Sequence, residues 1–164
     1  MKERFNILFL CTGNSARSQM AEALTRLLGS SRLCAFSAGS HATGNVHPQA
    51  LQVLQDAGVP SDGLRSKSWD EFGRPDAPHM DLVITVCDNA AGEVCPYWPG
   101  QPATAHWGFP DPSAVEGDDA ARREAFRLTL HALRKRLELL VNLPTQKLEK
   151  TMLQTSARDL ATRS

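Results

Sequence analysis

Asn6-Ile7-Leu8-Phe9-Leu10-Cys11-Thr12-Gly13-Asn14-Ser15-Ala16-Arg17-Ser18 is the stretch that decides the fold. Asn6–Leu10 is a short apolar run, as expected of a buried parallel strand. Cys11–Ser15 is rich in turn formers. From about Ala16 to Leu28, the residues Met20, Ala23, Leu24, Leu27 and Leu28 recur on one helical face, and Gly29 is a stop signal. A strand therefore runs through a tight loop into a helix.

Outward from this unit the same alternation continues. Leu33–Ala38 reads as a strand ending at Gly39. His47–Ala57 reads as a helix with Leu51 and Leu54 facing inward and Gly58 beyond its end. Ser68 caps a short helix through Phe72. Leu82–Val86 and Ala103–Trp107 are two more strands. Asp118–Val141 is the longest helix, with Phe126, Leu130, Leu133, Leu137 and Leu140 at spacings of three and four. Strands alternating with helices predict an α/β sandwich over a parallel sheet. Such sheets bind ligands beyond the carboxyl ends of their strands, which is where Cys11 and Cys87 fall. Residues 144–164 follow Pro144 and lie outside the pattern. The expected organisation is one domain over 1–143 and a C-terminal extension of unassigned role over 144–164.

The 164-residue chain is long enough for one domain with a real core. Lys plus Arg and Asp plus Glu are 18 each, so net charge gives no reason to expect nucleic acid or an anionic membrane as partner. Phe5–Leu10 is too short to span a bilayer, and no signal-like segment opens the chain, so a cytoplasmic location is expected. In a reducing compartment the four cysteines are expected to be catalytic, redox or buried thiols.

The loop has the form Cys-x5-Arg-Ser. A loop wrapped onto a helix N-terminus aims several backbone N–H groups at one point, where the helix dipole also favours negative charge. Gly13 permits close approach of the backbone. Arg17 can hold two oxyanion oxygens with its planar fork. The same field favours the thiolate of Cys11, and Ser18 can donate a hydrogen bond to it. Thr12, Gly13, Asn14, Ser15, Ala16, Arg17 and Ser18 are thus the expected oxyanion-binding residues around a Cys11 nucleophile. Far downstream, Asp111 sits between Pro110 and Pro112 on a stiff loop. It is either a turn or cap residue or, paired with Cys11, an acid that protonates the departing oxygen.

These residues, with Ala21-Glu22, Ser37-Ala38-Gly39, Val86-Cys87-Asp88, Cys95-Pro96 and His106-Trp107-Gly108-Phe109, resemble the low-molecular-weight protein tyrosine phosphatase family and, in finer text, its arsenate reductase branch. The resemblance covers about residues 5–142. It implies a four-stranded parallel sheet flanked by helices, a flavodoxin-like sandwich. It also implies Cys11 as nucleophile, Arg17 as oxyanion clamp, Asn14 and Ser18 as loop-organising groups, and Asp111 as acid. The chain departs from the phosphatases in three places. Gln19 stands where they usually have Pro, Ser113-Ala114-Val115 stands where they have a Tyr pair, and the lone Tyr97 is elsewhere. These departures favour a small inorganic substrate, arsenate, over phosphotyrosine. Ala16 takes the place of a further loop Cys found in some reductases. Residues that form a potassium site in part of the family are not matched, since Lys67 falls near an expected acid, so no metal is expected.

Reducing arsenate takes two electrons, and the adduct on Cys11 must be resolved by another thiol. Cys87 is the candidate, because neighbouring strands run about 5 Å apart and disulfides need a similar Cα separation. Cys95 would then attack Cys87 and free Cys11. Eight positions on a continuous helix span about 12 Å, so Asp88–Val94, with Gly92, would have to loop out or unwind. The same spacing argues against a zinc pair. Cys34, among Leu33, Ala35 and Phe36, is expected to be packing, and His106 beside Trp107 to be packed and hydrogen-bonded. No bound cofactor is expected. The electrons would come from an external thiol donor, either thioredoxin or glutathione with glutaredoxin. Two other readings remain open, a phosphatase of phosphotyrosine or small phosphoesters, and a non-catalytic oxyanion-binding module.

Overall fold

The computed structural model describes residues 4–29, 31–88, 103–144 and 147. Its elements are β1 (Phe5–Cys11), α1 (Arg17–Gly29), β2 (Leu33–Gly39), α2 (Pro48–Asp56), a 3-10 turn at Trp69–Phe72, β3 (Leu82–Thr85), β4 (Ala103–His106), a 3-10 turn at Pro112–Ala114, and α3 (Asp119–Val141). The four strands form one sheet in the order β2-β1-β3-β4. Every neighbouring pair is parallel, with Cys11 opposite Gly39, Leu10 opposite Thr85, and Thr85 opposite His106. The carboxyl ends of all the strands therefore share one edge, where the expected site residues emerge.

The apolar run in β1 is continuous because both faces of the sheet are covered. Ile7 and Phe9 point into the larger core with Met20 and Leu24 of α1, Leu54 of α2 and Phe126 and Leu133 of α3. Leu8 and Leu10 point the other way, onto Met80, Val83, Trp69 and Phe72. In α3 the five expected stripe residues, Phe126, Leu130, Leu133, Leu137 and Leu140, are all buried. Its start is fixed by Asp118, whose side chain accepts the Ala121 N–H at 2.9 Å.

Two inward-facing expectations are corrected. Leu27 is 44% exposed and Leu51 37% exposed. In the last turn of α1 only Gly29 is buried. A Cβ there would stand 2.8 Å from Val141 of α3, so the helices approach too closely at that point for a large side chain, and Leu27 lies on the other side. In α2 the buried stripe is Ala50, Val53 and Leu54, with Leu51 a helical step away from it. Most of 144–164, Cys95 and most of Asp88–Val94 lie outside the described residues.

Candidate active site

The loop between β1 and α1 is built by turning its carbonyls outward. Thr12 O accepts from His41 N at 2.9 Å, Gly13 O from Thr43 N at 3.0 Å, and Ser15 O from His47 N at 2.8 Å. Asn14 O accepts from the Gln19 side chain at 3.0 Å. A trans peptide points its N–H opposite to its C=O. Four consecutive carbonyls tied outward therefore aim the N–H groups of Gly13, Asn14, Ser15 and Ala16 into the loop. The Asn14 N–H confirms the direction, reaching Cys11 Sγ at 3.2 Å. Helix α1 starts at Arg17, so its positive end adds to the same field.

A second donor meets the Cys11 sulfur. Ser18 Oγ lies 2.9 Å from Sγ, and the same Oγ accepts from Asn14 Nδ2 at 2.7 Å. With its lone pair engaged by Asn14, the hydroxyl is free to point its hydrogen at Cys11. Cys11, Asn14 and Ser18 are all buried, so these bonds act in a low-dielectric setting where donors to an anionic sulfur count most. Asn14 holds its place in the left-handed region, with φ of 48°, a conformation that Asn tolerates better than most residues.

Arg17 and Asp111, separated by most of the chain, come together. Arg17 is 5% exposed and donates through Nη1 to Phe109 O at 2.9 Å. Its Nη2 stands 4.0 Å from Asp111 Oδ2. Asp111 is also a cap, since Oδ1 accepts from Ser113 N at 2.9 Å and from Ser113 Oγ at 2.7 Å. One carboxylate oxygen is thus spent on its own turn and the other faces the Arg17 fork. The ring of Phe109 packs under Arg136 of α3, with the guanidinium carbon 4.7 Å from its centroid.

The strand order brings Cys87 to the same sheet edge as Cys11, two residues past the end of β3. β3 lies next to β1, and the pairing extends one step past the strand through Val86 N donating to Leu10 O at 2.9 Å. Cys87 is fully buried and disulfide-bonded, whereas Cys11 and Cys34 are free thiols. Cys34, expected as packing, is only half-buried in β2. His106 is packed as expected, with Nδ1 2.7 Å from Thr85 Oγ1. Burial holds its imidazole below the ordinary histidine value, and Asp88 pulls weakly the other way.

Comparison with known proteins gives the family of the chain. Residues 6–154 match the family described as low molecular weight phosphotyrosine protein phosphatase. The chain belongs to this family. An arsenate reductase of Halalkalibacterium halodurans is 36% identical over 132 residues, covering 80% of this chain and 91% of that protein. The arsenate reductase structure from Archaeoglobus fulgidus superposes with a TM-score of 0.68 at 27% identity, covering 84% of this chain and 99% of that one. A thioredoxin-dependent arsenate reductase of Corynebacterium glutamicum has a TM-score of 0.51 at 26% identity, covering 84% of this chain and 63% of that one.

Within the low-molecular-weight phosphatase family, the sequence departures now have physical content. Gln19 is wholly buried, and its Nε2 reaches Asn14 O, Asn14 Oδ1 at 2.9 Å and Arg65 O at 2.7 Å. No proline could make those bonds. Lys67 is buried as well, its N–H donating to Asn14 Oδ1 at 2.9 Å. Gly39 proves equally important. A Cβ there would stand 2.5 Å from Thr12 O and 3.0 Å from Asn14 N, so the end of β2 must be glycine for the loop to close over it. In the sequence Gly39 and Glu22 stand only as text of the resemblance, Gln19 both as such text and as a departure from the phosphatases, and Lys67 as a mismatch. The available signal was polar Gln19 and Glu22 three positions apart inside a helix otherwise read as apolar on one side.

Proposed function

We propose that the protein reduces arsenate to arsenite at Cys11. The observation that carries this reading is the meeting of three parts at one sheet edge. These are a loop whose N–H groups turn inward around a sulfur that receives two donors, the Arg17–Asp111 pair, and Cys87 two residues past the end of β3, a disulfide sulfur that an external dithiol must reduce before it can act as a thiolate. The arsenate reductases among its relatives support the choice of substrate.

The loop N–H groups and Arg17 hold three oxygens of arsenate, and the Cys11 thiolate attacks arsenic. Asp111 protonates the oxygen that departs as water. Cys87, as a thiolate, then attacks Cys11 Sγ. A Cys11–Cys87 bond forms, the sulfur–arsenic bond breaks, and its electron pair stays on arsenic, which leaves as arsenite. Cys95 attacks Cys87, releasing the Cys11 thiolate and leaving Cys87 linked to Cys95. An external dithiol reduces that bond. Thioredoxin is our choice, on the likeness to the thioredoxin-dependent enzyme of Corynebacterium glutamicum, over glutathione with glutaredoxin. The described residues contain no helix long and apolar enough to cross a membrane. We place the reaction in the cytoplasm, where such dithiol donors are kept reduced.

Arsenate-dependent NADPH oxidation, measured with each donor system separately, tests the reading. Cys11→Ser should leave only background turnover. Cys87→Ser should stop arsenite release under multiple turnover yet spare slow hydrolysis of an activated aryl phosphate, which needs only the loop and Cys11. If Cys87→Ser leaves arsenate turnover intact, the redox role of Cys87 is wrong. Turnover of aryl phosphates alone would favour the phosphatase reading.

A further inference from the structure

Glu22 and Lys67 are a charged pair inside the protein, 1% and 8% exposed, that the reaction above leaves unused. Glu22 Oε1 accepts from Ser37 Oγ at 2.6 Å and lies 3.7 Å from Lys67 Nζ. Its other oxygen pairs with Arg26 at the rim. Lys67 Nζ donates to Arg65 O at 2.8 Å, the carbonyl that Gln19 also holds. The main chain of Lys67 faces the loop, with its N–H on Asn14 Oδ1 and its carbonyl accepting from Gly39 N at 3.0 Å. One residue thus has its backbone on the oxyanion loop and its charge anchored in Glu22.

Asn14 is the point where this matters. It sits at positive φ, a conformation kept only where surroundings over-determine it, and it carries the bond to Ser18 that directs the hydroxyl to Cys11. A buried ion pair is a poor device for stability alone, since its desolvation offsets most of its attraction. Burial pushes the Lys67 ammonium below the ordinary lysine value, and Glu22 resists that shift.

We propose that Lys67 is a positioning residue for the Cys11 reaction, an internal cation that holds the Arg65–Lys67 backbone against Asn14, and that the protein consequently needs no external monovalent cation behind its loop. A carboxylate, a hydroxyl and a peptide carbonyl are oxygen donors suited to such an ion. Here the ammonium already sits among them, so a potassium ion does not fit beside it. A cavity of about 340 Å³, lined by Glu22, Arg26, Arg65, Lys67 and Glu71, opens onto the pair and gives a small cation a way in if the ammonium is removed.

The proposal rests on Cys11 as the attacking thiolate, and the test reads that thiolate without arsenate. Rates of Cys11 alkylation by iodoacetamide, mapped by mass spectrometry near neutral pH, are compared in wild type, Lys67→Ala and Glu22→Gln. Both variants should react about tenfold more slowly, the scale of losing one hydrogen bond to a charged group. Potassium or methylammonium should restore at least about half the lost rate in Lys67→Ala and none in Glu22→Gln, whose carboxylate is gone. Wild-type arsenate turnover should differ by less than about twofold between potassium and sodium at equal ionic strength. If Lys67→Ala fails to melt cooperatively, Glu22→Gln, which keeps the side-chain shape, decides. Wild-type alkylation rates in both variants, slowing that no cation reverses in Lys67→Ala, or potassium activation of wild type would each overturn the proposal. If wild type does not turn over arsenate but the alkylation pattern holds, the choice of substrate falls and the role of Lys67 stands.

Discussion

The oxyanion loop and the acid loop meet at Arg17 but are held in different ways. Around Thr12–Ser15, backbone bonds from the 41–47 segment and the Gln19 amide tie every carbonyl, and the half-buried Ser66 hydroxyl also donates to Gly13 O. Around Phe109–Ser113, the hold is by side chains, through Arg17 on Phe109 O, Arg136 over the Phe109 ring, and Asp111 capping its own turn. In the proposed reaction the first region fixes where the oxyanion sits, while the second depends on side chains that have rotamer freedom of their own. Changes that press on the oxyanion loop should therefore cost far more than changes that loosen the acid loop.

Gly39→Ala is the most severe way to break that contrast. Its methyl group would meet the backbone of Thr12 and Asn14, with no flexible side chain to give way. Displacing several donors at once should lower kcat/KM for arsenate about 10³-fold. A variant within tenfold of wild type in steady-state turnover would show that the loop yields after all. Asp111→Asn comes next. The amide oxygen preserves the cap on Ser113 while the proton donor is lost, so kcat should fall about 10²-fold with little change in melting temperature. A matching loss of stability would instead mark Asp111 as a cap alone.

Arg136→Ala loosens only the support beneath Phe109. It should cost about 0.5–1 kcal/mol of stability in denaturant unfolding and change kcat/KM less than threefold. The smallest effect belongs to His106. Its folded value lies below the ordinary one because of burial, so between the two values the unfolded chain binds more protons and stability rises with pH. On acidification, that contribution is lost from about pH 6.5 downward until the folded imidazole itself protonates. His106→Gln should flatten the fall of melting temperature over that range, and an unchanged slope would remove His106 from the acid response.

What the sequence revealed of this molecule was what is local. Cys11-x5-Arg17-Ser18 lies within one strand–loop–helix unit, and the stripe of α3 repeats over about four turns, so spacing alone located both. Asp111 was legible only as a partner for Cys11, and its second role as a cap agrees with the commoner meaning of Asp-Pro. The support behind the loop was not legible, because Asn14, Gly39 and Lys67 are adjacent only after β1, β2 and the segment leading into the Trp69 turn have come together. Leu27 and Leu51 were misread for a related reason. Hydropathy periodicity assumes the largest apolar side chains face in, whereas close helix–helix approach at Gly29 selects small ones.

The complete burial of Cys87 has a directional consequence. Thiol–disulfide exchange needs a thiolate to approach in line with the bond it breaks, and an incoming protein finds no surface at Cys87. In the cycle proposed above, reduction of that disulfide therefore begins at the sulfur bonded to Cys87, with Cys87 as the leaving thiolate. The donor is then joined transiently to that partner cysteine and not to Cys87, so electrons reach the interior only through the Cys87 sulfur.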